Sequence, residues 1–258
     1  MQNRADLIKN ILEHGYRIFT IEQFAKLANH LGYSNKSIGS LAFEMKKSKL
    51  IDSIKPGLFQ LSDSYLSSPI SAYEVGLKVV PGGYLSHLSA VAVHGLTDQL
   101  ANIIYISVEI GKSRYCNKEA DFNFEAKGAK YKIIEILKER IFGLENKWYG
   151  DSQISITDLE RTLIDCMNAP QYAAGFYEVL SYFHEAKEKI NLEKIIQYAL
   201  KLSISSMQRL GWCFEKIEFY EGAKRVMDKI NAHSWVKLDT SGKRKGVYNK
   251  KWKIIENL

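Results

Sequence analysis

The side chains best suited to chemistry fall into two groups. Ser86, His87, Ser89 and His94 place hydroxyls beside imidazoles. A serine nucleophile needs such a base, but also a third group to orient the ring and donors for an oxyanion. Neither can be read from the sequence. Ser86 reads more simply as a helix N-cap. His87 and His94, seven residues apart on one helix face, read as structural histidines. The second group is Asp158, Glu160 and Asp165. Three carboxylates could hold a metal for a nucleic-acid enzyme. However, Thr157 and Glu160 have capping-box spacing, which gives Glu160 a structural task. Arg161 and Asp165 stand at i, i+4, a local pair worth about 0.2–0.5 kcal/mol. No P-loop, G-x-G-x-x-G or H-E-x-x-H occurs, and no Asp-x-Asp pair follows Gly39-Ser40 to hold magnesium. No catalytic residue, metal ligand or cofactor is therefore expected.

Polyanion binding has better support. Residues 1–66 hold 9 Lys and Arg against 6 Asp and Glu; residues 67–221 hold 17 against 20; residues 222–258 hold 10 against 3. Both ends are basic and the middle is not, which suits a nucleic-acid partner. The other reading of the same charge is a solvated surface.

The elements that position these cations follow from periodicity. Leu7, Ile8, Ile11 and Leu12 have helical spacing, and Gly15 stops that helix. Thr20 to Gln23 is a capping box before Phe24, Leu27, Ala28 and Leu31, closed by Gly32. Ser34 is expected to cap a third helix with Ile38, Leu41, Ala42 and Met45 inward. Its outer face would carry Lys36, Ser40 and Lys47, with Phe43 nearby. Strands at 50–54 and 58–61 flank Lys55-Pro56-Gly57, a type II turn. Three helices then a hairpin is winged helix-turn-helix order. Asn35, Ser37 and Ser40 near the third helix's start suit base edges, while Lys46, Lys47, Lys49 and Lys55 suit phosphates.

The Ser-rich stretch Ser62–Pro69 marks a boundary between a DNA-binding domain, 1–66, and a larger mixed α/β effector domain, 67–258. In the latter, Tyr73, Val75, Leu77 and Val79 suggest a short helix ended by Pro81-Gly82-Gly83, and a second helix is expected from Ser86 to His94. Strands are expected at 103–110, 121–126, 130–137 and 150–155, then helices at 158–168, 174–189, 191–203 and 205–216. Leu159, Leu163, Cys166 and Met167 form one apolar stripe. The basic tail, 222–258, reads as strand, turn and strand, a hairpin with Lys243, Arg244 and Lys245 at its turn for phosphate. The fold class is α+β. Cys116, Cys166 and Cys213 are odd in number and scattered, reading as small buried hydrophobes of a reducing cytoplasm. No secretory leader or membrane-spanning apolar run is read.

Three motifs carry a family resemblance. They are Tyr84-Leu85-Ser86-His87-Leu88-Ser89-Ala90 leading to His94-Gly95-Leu96-Thr97-Asp98-Gln99, then Asp158-Leu159-Glu160-Arg161-Thr162-Leu163-Ile164-Asp165, then Arg209-Leu210-Gly211. In type, order and spacing they resemble the AbiEi family, the antitoxins of type IV toxin–antitoxin modules. The resemblance implies a cytoplasmic DNA-binding autorepressor acting on inverted repeats in its own promoter. It also implies that the chain counteracts a nucleotidyltransferase-like toxin through the second domain, by direct contact or otherwise. Two other readings stay open: a stand-alone winged-helix transcription factor, and a metal-dependent nucleic-acid enzyme using Asp158, Glu160 and Asp165.

Overall fold

Thr20 opens the second helix as expected. Its hydroxyl accepts the Gln23 N–H at 3.3 Å, and the Gln23 side chain accepts the Thr20 N–H at 2.9 Å. The computed structural model describes residues 4–99, 102–117 and 119–258. In its first region α1 (Arg4–Glu13), β1 (Ile18–Thr20), α2 (Ile21–His30), α3 (Ile38–Lys47), β2 (Ile51–Lys55) and β3 (Leu58–Leu61) follow in order. β3 lies between β1 and β2, antiparallel to both. β1 is too short for its alternation to show in the sequence. Leu7, Ile11, Phe24, Leu27, Leu41, Met45, Ile51 and Leu61 share one buried core, so α3 is held with its other face outward. Gly57 has φ of +77°, as a type II turn requires.

The start of α3 differs from expectation. Ser34 precedes a tight 3-10 turn, Asn35–Ser37, that leads into the helix. Its hydroxyl caps no backbone N–H; it meets the Ser37 hydroxyl at 3.3 Å, and Ser37 Oγ donates to the Ser34 carbonyl. The serines satisfy each other locally, a common alternative to helix capping.

The second region comprises α4 (Ala72–Val79), β4 (Tyr84–Leu85), α5 (His87–Val93), β5 (Ile103–Glu109), β6 (Phe124–Ala126), β7 (Ala129–Ile136), β8 (Leu144–Tyr149) and β9 (Ser152–Thr157). Its mixed sheet runs β6-β7-β5-β4-β9-β8, with β5 and β7 parallel and β4 parallel to β9. Ile104, Ile106, Val108, Tyr131, Ile133, Ile154 and Ile156 pack with Val75 and Val79 of α4. Tyr105 on β5 packs instead against the helices that follow. Those helices are α6 (Leu159–Asn168), α7 (Phe176–Ala186), α8 (Leu192–Leu202), α9 (Ile204–Lys216) and α10 (Tyr220–Lys229). The expected stripe holds: Leu163, Cys166 and Met167 are buried, and Leu159 packs beside them. Cys213 is buried too, whereas Cys116 is only half-buried.

The tail closes the fold with β10 (Val236–Lys237), β11 (Val247–Asn249) and β12 (Ile254–Glu256). The expected hairpin between the strands flanking Lys243-Arg244-Lys245 does not form. β10 pairs parallel with β12, and β12 pairs antiparallel with β11. The hairpin is β11–β12, and the Lys-Arg-Lys run lies in the connection from β10 to β11. Burial explains the choice: Trp252, Ile254 and Ile255 are buried, so β12 takes the centre of the small sheet. The fold is α+β, with these three parts in chain order.

Polar contacts tie the first region to the second. Arg17 donates to the carbonyls of Ser68 and Pro69 and pairs with Glu74 at 3.3 Å and Asp151 at 3.2 Å. The Ser67 and Ser68 hydroxyls donate to the same Asp151 carboxylate and, with Arg17, hold it below its ordinary pKa. Ile18 and Leu58 enter the apolar cluster of α4 and the mixed sheet. The Ser-rich segment is thus a fastened crossing.

Candidate nucleic-acid interface

Burial of Ile38, Leu41, Ala42 and Met45 decides which side chains α3 offers to solvent. Ser34, Asn35, Lys36, Ser40, Phe43, Lys46, Lys47 and Lys49 are exposed and Ser37 is half-buried. The four lysines make no ion pair among the described residues. Glu44 is met at 3.9 Å by Arg4. Asn35 accepts a bond from the Asn29 amide at 2.8 Å, which fixes its carbonyl oxygen; its own side-chain N–H groups have no partner among the described residues. A polar start and cationic end on one exposed helix face can read base edges and neutralise phosphates.

Lys55 is placed elsewhere. Its ammonium donates to the Tyr115 hydroxyl at 2.9 Å and to the Val79 carbonyl at 3.4 Å, both in the second region. Burial raises the Tyr115 phenol's pKa, but donation from Lys55 and Arg114 brings it below the ordinary value. The Pro56-Gly57 turn therefore lines a cleft with Lys78, Lys112 and Arg114. The β2–β3 turn is braced against the second region, and cations of that region flank it.

Lys243, Arg244 and Lys245 are all exposed. Arg244 donates to the Trp235 carbonyl at 2.9 Å, and Trp235 packs edge-on against Tyr248. The run is anchored at one residue, and its two ammonium groups have no partner among the described residues.

The Asp158–Asp165 segment corrects the sequence reading. Thr157 ends β9, opposite Leu144, so its backbone is extended. Asp158 is the N-cap, its carboxylate accepting the Arg161 N–H at 2.9 Å. The Thr157 hydroxyl meets Thr162 Oγ1 at 2.7 Å. Glu160 accepts from the Asn191 N–H and from Lys194, both at 2.8 Å; Lys194 also reaches Asp158 at 3.2 Å. The Arg161–Asp165 pair, 2.8 Å, is 3% and 12% exposed, so the magnitude of a surface pair does not apply. Asp158 and Glu160 share Lys194 while Asp165 holds Arg161, and no group of three metal-ligating side chains occurs among the described residues.

Ser86 takes the N-cap position of α5, but its hydroxyl meets Ser107 at 2.7 Å and His87 Nδ1 at 3.0 Å instead of capping. His87 is buried in the left-handed region, φ +50°. Burial and the charge of Arg161 push its imidazole down to about 3. His94 closes the helix, bonded through Nε2 to the Thr157 carbonyl at 2.8 Å. These are structural contacts, and no third side chain orients the His87 ring by a hydrogen bond among the described residues.

What the sequence reading missed is a convergence. His87, Arg161, Asp165 and Arg209, one or two from each motif, line one cleft of about 280 Å³ together with Arg140, Asn168, Tyr172 and Ser206. Arg161 donates to Asp165 and to the Arg140 carbonyl. Burial pushes the Asp165 carboxyl up to about 6, against the pull of Arg161. Arg209 donates to the Lys237 and Leu238 carbonyls and to Asn168. The signal was present: Arg161 and Arg209 are charges on helices buried nearly all round.

No protein-family model matches the chain, and no curated protein is similar to it. Among solved structures, the chain resembles the crystal structure of RV2827C protein from Mycobacterium tuberculosis, with a TM-score of 0.70 at 11% sequence identity, covering 98% of this chain and 91% of that one. At that identity the likeness is one of fold, and it extends over nearly the whole of both chains.

Proposed function

We propose that this chain is a double-stranded DNA-binding repressor of its own promoter, acting on inverted repeats, and the antitoxin of a type IV module. The observation that carries the DNA reading is the exposed face of α3. Asn35, Lys36, Ser40, Lys46 and Lys47 stand clear there, and no ion pair engages the lysines among the described residues. Unpaired cations beside short polar groups are what phosphate positioning and base reading require. The antitoxin reading rests on the three sequence motifs and their resemblance to the AbiEi family. Its partner is a nucleotidyltransferase-like toxin, and its place of action is the cytoplasm. No helix among the described residues is long and apolar enough to cross a membrane. The carboxylate route to a nucleic-acid enzyme has less support, because Asp158 and Glu160 share Lys194 and Asp165 holds Arg161.

Two experiments test the reading. Gel-shift titration on the chain's own promoter should give a complex that random DNA of equal length does not compete away. Co-expression with the neighbouring gene should restore growth that the neighbour alone arrests. Promoter binding without growth rescue would leave a stand-alone transcription factor.

A further inference from the structure

We propose that the cleft between β7, α6 and α9 binds a small phosphate monoester. Its wall is lined by three arginines, Arg140, Arg161 and Arg209, and by one carboxylate, Asp165. Asp165 is already committed to Arg161 Nε. Arg209 is 8% exposed, and no carboxylate pairs with it among the described residues. Its Nε and Nη1 are spent on two carbonyls and Asn168, while no hydrogen bond reaches Nη2 among the described residues. Asp239 attracts this charge without forming an ion pair, and a nearly buried guanidinium that keeps a donor beside a cleft is suited to an anion. Arginine is the cation whose planar donors match phosphate oxygens.

The rest of the wall fits the same ligand. Ser206 exchanges hydrogen bonds with Asn168 and so fixes the amide that Arg209 meets, and Tyr172 adds an aromatic face beside the neutral His87 ring. The volume, about 280 Å³, suits a small ligand. A free nucleotide and the 5′-phosphate end of an oligonucleotide present the same group. This site is distinct from the α3 surface, and the inference does not rest on promoter binding.

Calorimetric titration of the intact chain with inorganic phosphate, AMP and adenosine tests it. Phosphate and AMP should bind one saturable site, and adenosine should not. Arg209→Lys and Arg140→Gln should each weaken AMP by about tenfold or more, the loss of one charge-assisted bond. Arg140 is exposed, so its variant keeps the test informative if Arg209→Lys unfolds. Lys46→Gln with Lys47→Gln should leave AMP binding unchanged. Displacement of AMP by a 5′-phosphorylated trinucleotide, but not by its unphosphorylated form, would identify a nucleic-acid end as the source; failure to displace would identify the free monoester. No saturable binding at millimolar phosphate and AMP, or binding lost in the α3 double variant and kept in Arg140→Gln, would overturn the proposal.

Discussion

Trp252 packs against the backbone of α9 at Gly211 so closely that a β-carbon there would stand 2.1 Å from the indole Cζ3. The glycine of the Arg-Leu-Gly motif is therefore a seat for an aromatic ring some forty residues later in the chain. Gln208, one turn earlier, donates to the Trp252 carbonyl at 3.0 Å, and Glu215, one turn later, accepts from the indole N–H. The basic tail is thus part of the helical core.

Trp252→Ala should therefore lower stability by about 3–5 kcal/mol, as deletion of a fully buried aromatic does. Gly211→Ala should cost about 1–3 kcal/mol through overpacking. Urea unfolding of both variants measures this. A loss near zero for Trp252→Ala would mean that the tail is an appendage.

On α3, Asn35→Ala or Ser40→Ala should cost about 1–3 kcal/mol on the chain's own operator and little on random DNA. Lys47→Gln should weaken both and make the salt slope shallower by about 0.9. Lys55→Gln should behave differently, leaving the slope unchanged, because its ammonium is spent on Tyr115. A slope change for Lys55→Gln would show that the wing leaves Tyr115 to meet DNA.

Local features were legible and long-range ones were not. The capping box of Thr20 and Gln23 lies within one turn and forms as spaced. Thr157 and Glu160 have the same spacing, yet strand pairing to Leu144 holds Thr157 and a lysine on another helix, Lys194, takes Glu160. Nothing within the segment announces either partner. β8 was missed because it is an edge strand whose residues are almost all exposed, without the alternation that marks a half-buried strand. In the tail β10 and β11 fall within expected strands, but the central β12 does not, because its place is decided by burial against α9. The cleft was missed because its members come from three motifs that meet only in the fold.

His87 predicts a pH dependence of stability. Its ring is neutral in the folded chain, with pKa lowered from 6.5 to about 3. As pH falls below the unfolded value, the unfolded chain takes a proton that the folded chain refuses. Stability is then lost at up to about 1.4 kcal/mol per pH unit for this group. Asp165, raised from 3.8 to about 6, acts in the opposite sense, since its folded form binds the proton more tightly as pH falls between those values. Comparison with a His87 variant separates the two. Asparagine tolerates the left-handed backbone at this position. The stability advantage of the wild type over His87→Asn should shrink steadily from about pH 6.5 downward. A constant difference would mean that His87 is not held neutral by burial.

The exposed run in the tail gives the last prediction. The Lys243 and Lys245 ammonium groups have no partner among the described residues, while Arg244 is partly committed to the Trp235 carbonyl. If the three meet phosphate, replacing all of them with glutamine should weaken operator binding by roughly tenfold or more at moderate salt. Each lost contact should also make the salt slope shallower by about 0.9. The Arg244 bond is an exposed side-chain contact, so its own loss should cost no more than about 0.5–1.5 kcal/mol of stability. The Lys243→Gln, Lys245→Gln double variant keeps that bond and isolates the charge effect. Gel-shift titrations at two salt concentrations distinguish the outcomes. A shallower slope in the double variant would place DNA against both ends of the chain at once. An unchanged affinity and slope would make the tail's charge a solvated face, and would leave α3 to bind the operator without it.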